Sequence, residues 1–173
     1  MLETIIRRGI VVPIGSHSGK EIIFANDHRG YQLKLELVDY LKNGYVLTDL
    51  GTHSNVRCDY PDYARFLGDD VSRYFLSHVG IAICGSGIGI GIAVNKFPRI
   101  IAARCLTEED AISSRKHNNS NVLVLGADIT KIDAAKKIVD AWLNAKFYES
   151  QKDEVYLNRY VQTINLEYLA RPI

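Results

Sequence analysis

Residues 79–91 read VGIAICGSGIGIG, an apolar run that ends in Cys84 and passes into alternating glycines. Val79–Cys84 has no polar face, so it suits a strand covered by helices on both sides, as in a parallel sheet. Gly85, Gly87 and Gly89 let the backbone approach a ligand closely. The helix-compatible sequence that follows, to about Phe97, would aim N–H groups at negative charge. A dinucleotide-binding fingerprint leaves two residues before its last glycine, and G-S-G-I-G does not. Tight strand-to-helix packing is the competing explanation of the same glycines.

Outward from this loop, short apolar runs alternate with helical patterns. Upstream, Glu21–Ala25 reads as a first strand, and Leu33, Leu37 and Leu41 mark a helix over Tyr31–Lys42 that Gly44 stops. Tyr45–Leu50 is a second strand, and Pro61 opens a helix to about Phe75. Downstream, Ile100–Leu106 is a fourth strand. Thr107, with Asp110 three residues on, caps a helix to about Lys116. Asn121–Gly126 is a fifth strand, and helices follow over Ile132–Lys146 and Asp153–Leu169. This alternation predicts a single-domain α/β fold: a Rossmann-like, five-stranded parallel sheet flanked by helices, in the flavodoxin-like order 2-1-3-4-5. The domain is expected over residues 20–173, closed by a C-terminal helix. Residues 1–19, with Arg7, Arg8 and one short apolar patch, read as an N-terminal leader outside the fold and a candidate for disorder.

The chain of 173 residues has 21 basic and 20 acidic side chains, for a formal net charge of +1. No broad basic field is available for nucleic acid or an anionic membrane, so any phosphate site must be built locally. No apolar stretch is long enough to span a bilayer. Cys58, Cys84 and Cys105 form no C-x-x-C pair and have no histidine-rich partner run. Zinc and a disulfide framework are therefore poor readings, and an odd cysteine count suits a reducing, cytoplasmic location.

In the expected strand order, ligands bind beyond the carboxyl ends of strands one and three, where the winding reverses. That rule selects Asn26-Asp27-His28-Arg29-Gly30 and the loop from Cys84 to Gly91. A cysteine ending a buried strand is ordinarily a small core residue; a glycine loop and helix start beside it favour a thiolate instead. Asp27 and His28 could cap a helix, or could hold a sugar hydroxyl and a phosphate. His117 lies in a polar stretch, RKHNN, where a helix C-terminus favours cations in any case. Cys58 and Cys105 read as structural, His53 and His78 as surface.

At these residues the sequence resembles the ribose-5-phosphate isomerase B family, which includes the galactose-6-phosphate isomerase subunits. The matching stretches are Ala25–Gly30 (ANDHRG), Cys58–Ala64 (CDYPDYA), Ile83–Gly89 (ICGSGIG), Asn95–Phe97 (NKF), Ser114–Leu123 (SRKHNNSNVL) and Val139–Leu143 (VDAWL). The resemblance implies an aldose–ketose isomerase of ribose 5-phosphate and ribulose 5-phosphate, in the pentose phosphate pathway, without metal or cofactor. It implies that Cys84 moves the proton between C2 and C1, that Ser86 assists near the reacting oxygens, and that His117 helps open the furanose ring. Backbone N–H groups of Gly85, Gly87, Ile88 and Gly89 would hold the enediolate; Asp27, Tyr60 and Asn118 would line the sugar, and His28 would meet the phosphate. The family's phosphate-binding arginine pair after the helix containing Trp142 is incomplete here: Arg159 fits the second position, and Lys152 is a point-charge substitute for the first. A hexose 6-phosphate (allose or galactose) isomerase and a non-catalytic phosphate-binding module are the alternative functions.

Together with the roles the resemblance implies for Cys84 and His117, the same topology implies a homodimer or dimer of dimers with shared sites. The helix from Thr107 to Lys116 starts at the carboxyl edge and runs back about 15 Å. His117 and Asn118 should then lie at the amino edge, out of reach of the Cys84 in their own chain.

Overall fold

The structure, a computed structural model, describes residues 4–169. Its central sheet has five parallel strands: β3 (Glu21–Asn26), β4 (Leu47–Asp49), β5 (His78–Cys84), β6 (Ala102–Arg104) and β7 (Val122–Gly126). Alternating side chains divide each buried strand between two cores. Ile22 and Phe24 of β3, Val79, Ile81 and Ile83 of β5, and Leu123 and Leu125 of β7 face helices α1 (Tyr31–Leu41), α4 (Glu108–Asn118) and α5 (Ile132–Asn144). Ile23, Ala25, Ala82, Cys84, Val122 and Val124 face α2 (Tyr60–Arg73) and α3 (Ile88–Val94). A continuous apolar strand is needed for this two-sided burial.

The parallel sheet and flanking helices match the expectation; the strand order does not match throughout. It runs β4-β3-β5-β7-β6, which in order of appearance within this sheet is 2-1-3-5-4 rather than 2-1-3-4-5. The last strand enters beside β5, and the fourth is displaced to the edge. Burial accounts for the exchange. Every residue of β7 is buried, whereas β6 is three residues long, partly exposed, and ends in the exposed Arg104. Only the strand that is apolar on both faces suits the interior place, and the short polar one suits an edge. The helix after the glycine loop is also shorter than expected, ending at Val94. Phe97 packs instead on α2, so close that a Cβ on Gly68 would lie 2.4 Å from its ring. Thr107 and Asp110 form the expected reciprocal cap.

The N-terminal segment requires a second correction. Strands β1 (Thr4–Arg7) and β2 (Ile10–Pro13) form an antiparallel hairpin; residues 1–3 of the expected leader lie outside the described residues. Val12 of the hairpin packs with Phe147 and with Leu157, Tyr160, Val161 and Ile164 of α6 (Glu154–Leu169) in a third apolar cluster. Backbone hydrogen bonds tie Gly15 to Phe147 and His17 to Leu143. Arg115 donates to the carbonyls of Gly15 and Ser120, and Asn119 donates to that of Pro13. Residues 1–19 read as a separate leader because their one apolar patch is short and the helix that covers it lies far away in sequence. His78, read as surface, is partly buried between Asp70 and Glu21.

Two outcomes test this docking. Val12→Ala should destabilise the protein by about 2 kcal/mol, because it removes two buried methyl groups and leaves a void. A leader outside the fold would leave the urea midpoint unchanged. His17 is buried on Trp142, and burial first, then the charges of Arg115 and Lys20, hold its pKa well below the ordinary value of 6.5. Below about pH 6.5 the unfolded chain therefore binds a proton that the fold excludes, and stability falls as pH drops. The urea midpoint should fall less between pH 7.5 and 5.5 in His17→Gln than in wild type; equal slopes would show that His17 is solvated.

Candidate active site

Beyond the carboxyl ends of β3, β5 and β7 lies an open crevice of about 350 Å³, lined by Asp27, Arg29, Tyr60, Cys84, Gly85, Ser86, Gly89 and Asp128. Strand register brings these groups together. Asn26 pairs with Ile83 and Cys84 with Gly126, so three strands end at one level and their loops meet.

Cys84 closes β5 with 4% of its surface exposed. The Gly87 N–H donates to its sulfur at 3.2 Å, which holds Sγ as an acceptor at the crevice wall. This contact needs the loop to reverse at Gly87, whose φ of +76° is left-handed and costs a glycine little. Ser86 Oγ accepts the Ile88 N–H at 3.2 Å, and Ile88, the first residue of α3, is itself half exposed. Gly89 serves a second purpose: a Cβ there would lie 2.7 Å from the Tyr60 ring, so only glycine lets that ring close the crevice.

Asp27 is buried, and its Oδ1 accepts the N–H groups of Arg29 and Gly30 at the start of α1. Asp27 thus closes the turn before α1 rather than capping the helix, whose N-cap is Gly30 without a side-chain cap, and its Oδ2 is left for a ligand hydroxyl. His28 stands beside the crevice rather than in its wall; its Nδ1 lies 3.1 Å from the carbonyl and 3.3 Å from the amide nitrogen of Cys58, which leaves Nε2 for a ligand. Cys58 thus holds His28 through its backbone. Cys105 is buried, and burial pushes its thiol pKa up to about 11, so it suits no reaction at neutral pH.

The remaining sequence-derived candidates lie elsewhere. His117 and Asn118 end α4 with exposed side chains, and the His117 ring stacks on Tyr156 of α6 with centroids 4.5 Å apart. Arg159, one turn along α6 from Tyr156, is exposed as well. The chain passes from His117 into the amino end of β7, where Val122 pairs with Gly80. From there to Cys84 the sheet rises about 13 Å.

Sequence reasoning missed Arg29 and Asp128 as parts of the crevice. Arg29 Nη2 donates to Asp128 Oδ2 at 2.6 Å and Nε donates to Oδ1 at 3.3 Å. Arg29 directly follows His28 and could have been read from the same loop. Asp128 was hidden by the strand order, because 2-1-3-4-5 sends the loop after the fifth strand to the far edge.

Residues 22–158 match the family model described as Ribose/Galactose Isomerase. Ribose-5-phosphate isomerase B of Escherichia coli is 44% identical over 129 residues, which cover 74% of this chain and 86% of that protein. The solved structure of Clostridium thermocellum ribose-5-phosphate isomerase B superposes with a TM-score of 0.81 at 39% identity, over 87% of this chain and 99% of that one. The Mycoplasma genitalium enzyme, solved with bound ribulose 5-phosphate, gives a TM-score of 0.80 at 33% identity, over 88% and 99% of the two chains. The crevice thus sits on a fold shared over nearly the full length of solved isomerases, and this chain belongs to the ribose/galactose isomerase family.

Proposed function

We propose that this protein interconverts ribose 5-phosphate and ribulose 5-phosphate, with Cys84 as the base. The observation that carries the reading is one thiol in a crevice wall, placed among the glycine loop, Ser86, Tyr60 and Asp27. Cys84 Sγ, as the thiolate, takes the proton from C2 of the open-chain aldose. The C–H electron pair becomes the C1–C2 double bond, and the carbonyl pair moves onto O1. Return of the proton to C1, with the proton of the C2 hydroxyl passing to O1, leaves the ketose carbonyl at C2 and a hydroxyl at C1. One base near both carbons serves both transfers. Fixed N–H groups of the Gly85–Gly89 loop and the Ser86 hydroxyl stabilise the transient oxyanion without reorganising. Asp27 and Tyr60 position the sugar hydroxyls, and His28 offers Nε2 to the phosphate. The reaction places the protein in the pentose phosphate pathway, and three free thiols suit a cytoplasmic location.

The active site is shared between two copies of the chain. Opening the furanose ring needs an acid–base group on the sugar, the role assigned to His117, with Asn118 beside it and Arg159 toward the phosphate. Their distance from Cys84 along the sheet supports the reading that they serve the crevice of a second subunit. Ile88 and Ile92, 52% and 59% exposed on α3, offer an apolar face next to the crevice for a second copy to cover. A two-fold dimer makes two such composite sites.

Turnover assayed on ribose 5-phosphate beside allose and galactose 6-phosphates should favour the pentose. Cys84→Ala should abolish turnover while phosphate-ligand binding persists. Iodoacetamide should inactivate the enzyme with modification at Cys84, and a substrate analogue should protect it. Inactivation that maps to Cys58 or Cys105, with Cys84 unmodified, overturns the assignment of the base. Sharing is tested by complementation: mixed Cys84→Ala and His117→Ala subunits should regain about half the wild-type activity per mixed dimer, because one of its two sites is intact. No recovery after proven subunit exchange would place both residues in one chain's site.

A further inference from the structure

The crevice holds a charged pair to which the proposed chemistry assigns no role. Arg29 comes from the loop after β3 and Asp128 from the loop after β7, and their two-point contact bridges the loops above the glycine turn. A Cβ on Gly85 would lie 2.6 Å from both Arg29 Nε and Asp128 Oδ2, so the pair rests directly on the bare backbone of Gly85. Arg29 is the cation in the crevice lining; Asp27 and Asp128 are its carboxylates.

A phosphate monoester brings nearly two negative charges into this crevice. Against two carboxylates it is repelled unless a cation accompanies it, and His117 and Arg159 do not reach this crevice from their own chain. A guanidinium presents a planar fork of donors that fits phosphate oxygens as well as it fits a carboxylate. The Arg29 and Asp128 side chains are 57% and 42% exposed. Such an exposed ion pair contributes little and is readily exchanged for another anion. His28, adjacent in sequence, presents Nε2 from the same loop.

We infer that Arg29 is the phosphate anchor contributed by the Cys84-bearing subunit, and that Asp128 is its placeholder. The carboxylate holds the guanidinium over the glycine loop in the free enzyme and yields it to the substrate's phosphate. Asp128 then competes with substrate for Arg29, so the two partners have opposite effects on affinity. This role for the pair rests on the isomerase reading above.

The test compares wild type, Arg29→Ala, Arg29→Lys and Asp128→Asn in steady-state kinetics on ribose 5-phosphate, and in titrations of inorganic phosphate followed by phosphorus NMR. Arg29→Ala should raise KM about tenfold or more while kcat falls far less, the signature of a binding contact remote from the reacting carbons. Arg29→Lys should recover part of the loss, keeping the charge without the fork. Asp128→Asn should lower KM and tighten phosphate binding. If the pair only braces the two loops, Arg29→Ala and Asp128→Asn will shift KM in the same direction, and that result overturns the inference, as does an unchanged KM in Arg29→Ala. The phosphate titration requires no turnover. Phosphate binding weakened in Arg29→Ala and tightened in Asp128→Asn, in a protein inactive on ribose 5-phosphate, would retain the anchor and reject the isomerase reading.

Discussion

Strand β5 is hydrogen-bonded on one edge to β3 and on the other to β7, and both of its faces are buried. A strand held in this way cannot slip, because a shift of one residue would turn every side chain to the opposite core. The register therefore fixes the height at which each strand ends. Asp27, Cys84 and Asp128 converge because Asn26, Ile83, Cys84 and Gly126 lie at nearly one level along the sheet. Gly126 also lets the strand beside Cys84 run close to the loop: a Cβ there would lie 2.7 Å from the Ser86 backbone. The crevice is thus a consequence of sheet pairing.

The amino edge is organised by a different constraint, a buried cluster of cations. Arg115 is 1% exposed, and its hydrogen bonds go to the carbonyls of Gly15 and Ser120 and the side-chain carbonyl of Asn119. Burial pushes its pKa down to about 9, and that of nearby Lys20 down to about 8. Neutral acceptors satisfy such charges only partly, and Arg115 Nε has no partner among the described residues. The N-terminal segment supplies several of the compensating contacts, through Gly15, Pro13 and His17, whose Nε2 meets the Ser120 carbonyl. Residues Arg115 and Asn119, which it grips, flank His117. The hairpin and α6 together therefore set the end of α4 on which His117 is presented.

These two edges divide the proposed chemistry. In the proposed mechanism, proton transfer and oxyanion stabilisation fall to the carboxyl edge, where backbone amides are fixed by the sheet. His117 belongs to the amino edge, where its ring is held by stacking on Tyr156. Separation of this kind makes assembly part of the mechanism proposed for the protein, since each half of the reaction's machinery is rigid but incomplete.

Local pattern alone determined a good deal. The unbroken apolar run to Cys84, the glycines after it, the Thr107–Asp110 cap and the leucine spacing of α1 each specify structure through neighbours within a few residues, and each was legible. So were Asp27 and the loop from Cys84 to Gly89, because they follow strands recognisable from composition; Tyr60, the first residue of α2, was suggested by the family resemblance alone. What only the tertiary structure decided were matters of long-range pairing. The order 2-1-3-5-4 depends on which strand can be buried on both faces beside β5, a comparison between segments and not a property of either. Asp128 entered the site only with that order, and Arg29 acquired its partner across the crevice. The docking of residues 4–17 was equally hidden, since a four-residue strand has little intrinsic preference and gains its stability from Phe147, Tyr160 and Arg115, far along the chain. Periodicity reports which face of an element is apolar; only packing decides which other element covers it.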